Sequence, residues 1–224
     1  MPDSPRSHLA DLAAATRRRE RAGLHRTLRS RPPRGAASES TLDLASNDYL
    51  GMHAHPRVVA AAAGALRDYG AGSTGSRLVT GSTELHDALE DTLADFMGFG
   101  SCLTASSGYM ANLAAVTALA GRGDLIVSDG GSHASLIDAC RLSRARVEVT
   151  PIGDIPAIER ILADRPEERA LVVSDAVYST DGSIADVRGL HGAARRHGAA
   201  LLVDEAHGLG VAGPGGRGAV AHRG

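Results

Sequence analysis

DLIVSDGGSHASLIDACRLSRARVEVTP, residues 124–151, decides the fold. It opens on the apolar run Leu125-Ile126-Val127 and turns at Gly130-Gly131. A helix-length stretch, SHASLIDACRLS (132–143), follows, and then the second extended run RVEVTP (146–151). A strand, a helix and a strand in so few residues predict a parallel pair joined by a crossover helix.

The alternation continues outward. Downstream, IPAIERILAD (155–164) reads as helix and ALVVSD (170–175) as strand. VRGLHGAARRHG (187–198) is then helix and AALLVDEA (199–206) strand. Upstream, SCLTAS (101–106) reads as strand and GYMANLAAVTALAG (108–121) as helix. Short apolar strands separated by helices predict an α/β fold, with a mainly parallel sheet covered on both faces. Ligands of such sheets sit beyond the carboxyl ends of the strands.

The remainder is read more locally. Residues 3 to about 30 suggest helix, with Leu9, Leu12 and Ala13 at helical spacing, as are Leu24 and Leu28. Arg31-Pro32-Pro33-Arg34-Gly35 breaks it. TLDLASNDYLG (41–51) is a short extended piece and a loop. Pro56 opens a helix through VVAAAAGALRDY (58–69). GAGSTGSRLVTGS (70–82) is a Gly-rich loop. Ser82 and Thr83 cap the helix TELHDALEDTLADFMG (83–98), which ends near Gly98. The domain reading is an N-terminal helical segment, 1–40, and a large domain, 41–224. GPGGRGAVAHRG (213–224) shows no closing helix, so the sheet is read as incomplete at the carboxyl end.

Composition narrows the function. The 224 residues are 43% hydrophobic and 22% charged, with net charge −2, so no strong field draws the chain to nucleic acid or anionic membrane. No apolar run reaches bilayer length, and the start lacks a secretory pattern. Cys102 and Cys140 lack metal-type spacing and are read as reduced thiols of a cytoplasmic protein. All 24 basic residues are arginine. A phosphate-loop lysine is therefore absent, and with it the nucleotide-driven reading of LLVDEAH (201–207). Gly70, Gly72 and Gly75 match G-x-G-x-x-G, with Glu90 downstream as a ribose contact. The residues before them look helical, whereas the dinucleotide fingerprint needs a strand there. Asp204, Glu205 and His207 have no second cluster to complete a metal site, so no metal is expected.

Five segments remain in order: SNDYLG (46–51), SSGYMAN (106–112), SHASLIDA (132–139), DAVYSTDG (175–182) and VDEAHGLGVAGPGGRG (203–218). Together they resemble the α-oxoamine synthases, a fold-type-I family dependent on pyridoxal 5'-phosphate (PLP). The resemblance spans about residues 40 to 218 and implies the large domain of that fold.

It also implies roles. Gly108 and Tyr109 lie at a strand-to-helix turn whose free N–H groups suit the PLP phosphate. His133 stacks on the pyridine ring and contacts substrate. Asp204 pairs with the ring nitrogen, keeping it protonated as an electron sink. His207 partners the cofactor's phenolic oxygen, Ser179 is a second cofactor contact, and Glu205 and Ala206 stand in the same cofactor set. The catalytic set is His133, Asp204 and His207, and Arg26 and Asn47 join His133 as substrate contacts. The implied reaction condenses L-alanine with pimeloyl-CoA, or a pimeloyl carrier protein, with decarboxylation, in biotin biosynthesis. The implied assembly is a homodimer, with the 70–81 loop facing the partner. Rivals within the family are glycine C-acetyltransferase, 5-aminolevulinate synthase and serine palmitoyltransferase. The rival of another class is an inert chain, because the lysine that holds PLP covalently in this family is missing.

Overall fold

The structure, a computed structural model, describes residues 8–28, 30 and 44–222. The chain divides into two compact units, Met1–Ala45 and Ser46–Gly224. Thr41 to Asp43, the start of the expected extended piece, lie outside the described residues.

In the first unit, helix α1 spans His8–Arg21. It stops well short of residue 30. Gly23 takes the left-handed φ of 67°, and the Leu24 N–H closes back on the Arg19 carbonyl at 2.8 Å. Glycine adopts that conformation without a Cβ clash, so it ends the helix before the Leu24–Leu28 spacing can count.

The second unit holds four strands: β1 (Leu125–Asp129), β2 (Arg146–Thr150), β3 (Ala170–Asp175) and β4 (Ala200–Asp204). Every pairing is parallel and the order is β2-β1-β3-β4. The four strand and crossover-helix expectations from residue 124 onward hold. SCLTAS does not: residues 101–105 form no ladder, because no described strand lies beside them to accept their backbone bonds.

Among the described residues this unit has six helices of ten or more residues: α2 (Pro56–Tyr69), α3 (Glu84–Met97), α4 (Gly108–Leu119), α5 (Ala134–Ser143), α6 (Ile155–Asp164) and α7 (Val187–Arg196). A short α8, Ala219–His222, follows where no closing helix is expected. The helices begin where short polar side chains accept free N–H groups. Asp154 accepts from Ala157 at 2.9 Å to start α6, and Asp186 from Gly189 at 3.0 Å to start α7. Thr83 heads α3, where the His86 ring reaches back to its N–H at 3.2 Å. Gly98 closes that helix in the left-handed region.

The sheet is covered on both faces. Leu125, Val127 and Val172 pack against Ile158 and Leu162 of α6 and Leu190 of α7. Ile126, Leu171 and Val173 face the other way, onto Val116 of α4 and Leu136 and Ala139 of α5. Adjacent residues thus serve opposite layers, the period-2 alternation of a strand. β1 and β3 are wholly buried, whereas β2 and β4 are the edges.

The topology fixes where a ligand can sit. The chain leaves β1 for β2 on one side, then crosses to β3 on the other. The connecting helices α5 and α6 lie on opposite faces, and a crevice opens at the carboxyl ends of β1 and β3. Asp129, Asp175 and Asp204, the last residues of β1, β3 and β4, stand along that rim.

Candidate functional site

The rim residues are tied together by side chains from the loops and helices that follow. Asp204 accepts from the Asn112 amide at 2.7 Å through Oδ2, and from the Ala206 N–H at 2.8 Å through Oδ1. Asn112, on α4 and nearly buried, also donates to Ser135 Oγ at 2.8 Å. Ser135 in turn lies 2.7 Å from His133 Nδ1. Asp204, Asn112, Ser135 and His133 therefore form one continuous polar chain. The Ser135 N–H donates to His133 Nδ1 at 3.2 Å, so in the neutral ring the proton sits on Nε2. That nitrogen is the donor the ring offers outward.

His133 is also fixed by its backbone. Its N–H donates to Asp175 Oδ1 at 3.2 Å. Burial pushes the Asp175 carboxyl up to about 6, and the neighbouring Asp204 charge adds to this against the pull of that N–H. The two aspartates are register partners across β3 and β4. Asp129 holds the loop before His133 from the other side. It accepts from Gly131 N–H at 2.9 Å, Gly153 N–H at 3.1 Å and the Tyr178 hydroxyl at 2.8 Å. Burial raises the Tyr178 phenol to about 12. A Cβ at Gly131 would stand 2.5 Å from the Tyr178 ring, so only glycine fits this close approach.

A second arm comes from residues 46–51. The Tyr49 hydroxyl lies 2.7 Å from His207 Nδ1 and 3.4 Å from Asn47 Oδ1. Tyr49, Tyr178, Ser179, His207 and Val211 line a cleft of about 250 Å³. Ser179 is exposed on the loop after β3. Gly108 is the first residue of α4, and Ser107 caps that helix by accepting from Met110 N–H at 3.2 Å. Among the described residues the Gly108 and Tyr109 N–H groups have no acceptor. The Tyr109 hydroxyl donates to Asp138 of α5, which raises the phenol and lowers the carboxyl.

One expected site residue is not joined to this cluster. The Glu205 carboxylate accepts from Ala219 N–H at 3.1 Å and Val220 N–H at 2.6 Å. It is committed to the start of α8 and lines a separate cavity with Leu201, Val203 and His191. Arg26 is exposed in the non-helical stretch after α1, within the first unit. Asn112, Ser135, Asp175 and Tyr49 are site residues that the sequence alone does not single out, although all four lie inside the quoted segments. Among the described residues no three or more His, Cys, Asp or Glu side chains are placed to hold a metal. No described helix is long and apolar enough to cross a membrane.

Comparisons with known proteins bear on this arrangement. The family profile of aminotransferases of class I and II matches residues 39–223. An 8-amino-7-oxononanoate synthase of Mycolicibacterium vanbaalenii is 62% identical over 212 residues, 95% of this chain and 55% of that protein. The chain thus spans little more than half the length of such relatives. A solved serine palmitoyltransferase with its PLP internal aldimine superposes with TM-score 0.86 at 33% identity, covering 98% of this chain and 58% of that one. The 8-amino-7-oxononanoate synthase of Francisella tularensis superposes with TM-score 0.71 at 29% identity, covering 83% and 51%.

Proposed function

The chain belongs to the class I and II aminotransferase family, and from that premise we propose that it builds the cofactor-facing part of a PLP enzyme of the 8-amino-7-oxononanoate synthase type. The proposed reaction joins L-alanine to the pimeloyl group of pimeloyl-CoA or a pimeloyl carrier protein, releasing carbon dioxide and the free thiol of CoA or the carrier. The observation that carries the reading is Asp204, oriented at a strand end by Asn112 and the Ala206 N–H.

The donor set fits PLP except at one point. A fixed carboxylate suits a protonated ring nitrogen, the Gly108 and Tyr109 N–H groups suit a phosphate, and the planar His133 suits a ring face. The exception is the covalent anchor, since none of the 224 residues is lysine. When bound, PLP supplies an electron-withdrawing ring that takes up the electron pair left by a broken bond at the amino acid α-carbon. Asp204 stabilises the positive ring nitrogen. Asn112 keeps that carboxylate from swinging away, and its other hydrogen, through Ser135, fixes the His133 ring. His133 offers Nε2–H to the substrate, with Asn47 as a further substrate contact. His207, held by Tyr49, faces the phenolic side, and Ser179 is a second cofactor contact. Glu205 is left out of this set, and Ala206 enters it through its backbone.

A second copy of the chain is the proposed partner. The exposed Leu78, Val79 and Leu103 give it apolar surface to cover. Cys102 and Cys140 are free, in keeping with a reducing, cytoplasmic setting. The lysine that holds PLP in the family is not among these 224 residues, which span little more than half the length of such relatives.

Amino-acid choice is the test of the substrate assignment. Adding L-alanine to the PLP-mixed chain is expected to perturb the PLP absorbance at lower concentration than glycine or L-serine does. Preference for glycine or serine would move the assignment to a sister synthase.

A further inference from the structure

Glu90 lies at ribose-contact spacing from a glycine pattern that lacks its strand, and in the fold it pairs with an arginine. Its carboxylate forms an ion pair with Arg77. The pair is partly buried, with side-chain exposures of 30% for Arg77 and 14% for Glu90, and the arginine holds the carboxyl down at about 2. Both partners converge on one residue. The Thr104 N–H donates to Glu90 Oε1 at 2.6 Å, and the Thr104 hydroxyl to the same oxygen at 2.8 Å. Arg77 Nη1 donates to the Thr104 carbonyl at 3.2 Å. The polar groups of Thr104, deprived of a sheet ladder, are thus satisfied by this single ion pair.

Arg77 is held in place from behind. It starts a single π-turn, Arg77–Gly81, in which Val79, Thr80 and Gly81 N–H groups converge on the Ser76 carbonyl. Gly81 packs so closely on the Gly75 backbone that a Cβ would collide with it. The loop therefore has one shape, and that shape aims the guanidinium at Thr104 and at Ser82 Oγ, 3.1 Å away. Three residues after Thr104 comes Ser107, the cap of α4, and then the free N–H groups of Gly108 and Tyr109.

We propose that Arg77 and Glu90 are positioning residues that hold segment 101–107, and so set the grip of the α4 amino end on the PLP phosphate. The phosphate part rests on the PLP reading above. The pair touches no ligand itself. It holds the backbone of Thr104, which pairs with no strand among the described residues.

The test titrates PLP and pyridoxal, which lacks the phosphate, into the wild-type chain, Glu90→Gln and Arg77→Ala. Amide hydrogen exchange of residues 102–111 is followed without ligand, and thermal melts confirm folding. Glu90→Gln keeps an acceptor for Thr104 and is the gentler variant should Arg77→Ala not fold. The expected result is faster exchange in both variants. PLP affinity should fall about three- to tenfold, the scale of one misplaced hydrogen bond, with pyridoxal affinity unchanged. Unchanged exchange, or an equal loss for PLP and pyridoxal, would overturn the positioning role. Faster exchange together with no PLP binding by the wild type would instead overturn the PLP reading, and the phosphate part with it.

Discussion

Helices α4 to α7 and helices α2 and α3 are held by different forces. Each of the first group buries side chains against the sheet. In α2 no residue is buried, and in α3 only Ala94 is. Residues 70–107 are instead fastened by polar bonds, above all those converging on Thr104. The apolar layers give the strand ends fixed places, so that Asp129, Asp175 and Asp204 stand in a row. The polar clamp gives a place to a segment that no layer covers.

The sharpest way to break this contrast is truncation in each region. Leu171→Ala, at 1% exposure, should destabilise the chain by about 2–5 kcal/mol in urea unfolding, through lost burial and a cavity. Next comes the buried polar support of the rim. Tyr178→Phe removes a donor from Asp129, itself 1% exposed, and should cost about 1.5–3 kcal/mol.

A smaller effect has opposite signs in the two regions. Asp175 sits at about 6 in the folded chain, above its ordinary 3.8, so the folded state favours its protonated form. Its contribution to stability is lost as pH rises from about 3.8 through about 6. Glu90 sits at about 2, below its ordinary 4.5. Its contribution is full above about 4.5 and lost as pH falls towards about 2. Comparing Asp175→Asn and Glu90→Gln with wild type across pH 2–7 should therefore give differences that grow in opposite directions. The smallest effect is Leu66→Ala on the exposed side of α2, at 56% exposure, expected within about 0.5 kcal/mol.

What the sequence discloses follows the same divide. Strands β1 to β4 and helices α4 to α7 are legible because aliphatic runs and helical spacing report burial directly. Residues 101–106 carry the same apolar signature, but a strand needs a neighbour, and pairing is not a local property. The early end of α1 turns on Gly23, a single left-handed residue inside an otherwise helical spacing. At the site, the strand-end Asp204 and the helix-cap His133 are visible in segment order. Their partners are not. Asn112 lies 92 positions from Asp204, and Tyr49 lies 158 from His207, distances that only the folded topology closes. Glu205 illustrates the converse: although adjacent to Asp204 in sequence, its side chain turns to the start of α8.

The central proposal is that the rim and the α4 amino end form a PLP cradle that holds the cofactor without any lysine among residues 1–224. The direct measurement is a PLP titration of wild type and Asp204→Ala, followed by borohydride and intact-mass analysis. Saturable binding is predicted, weakened about ten- to a hundredfold in the variant by loss of a charge-assisted contact, with no reduced adduct on an internal side chain. Equal binding by both chains, or a PLP adduct on an internal residue, would contradict it.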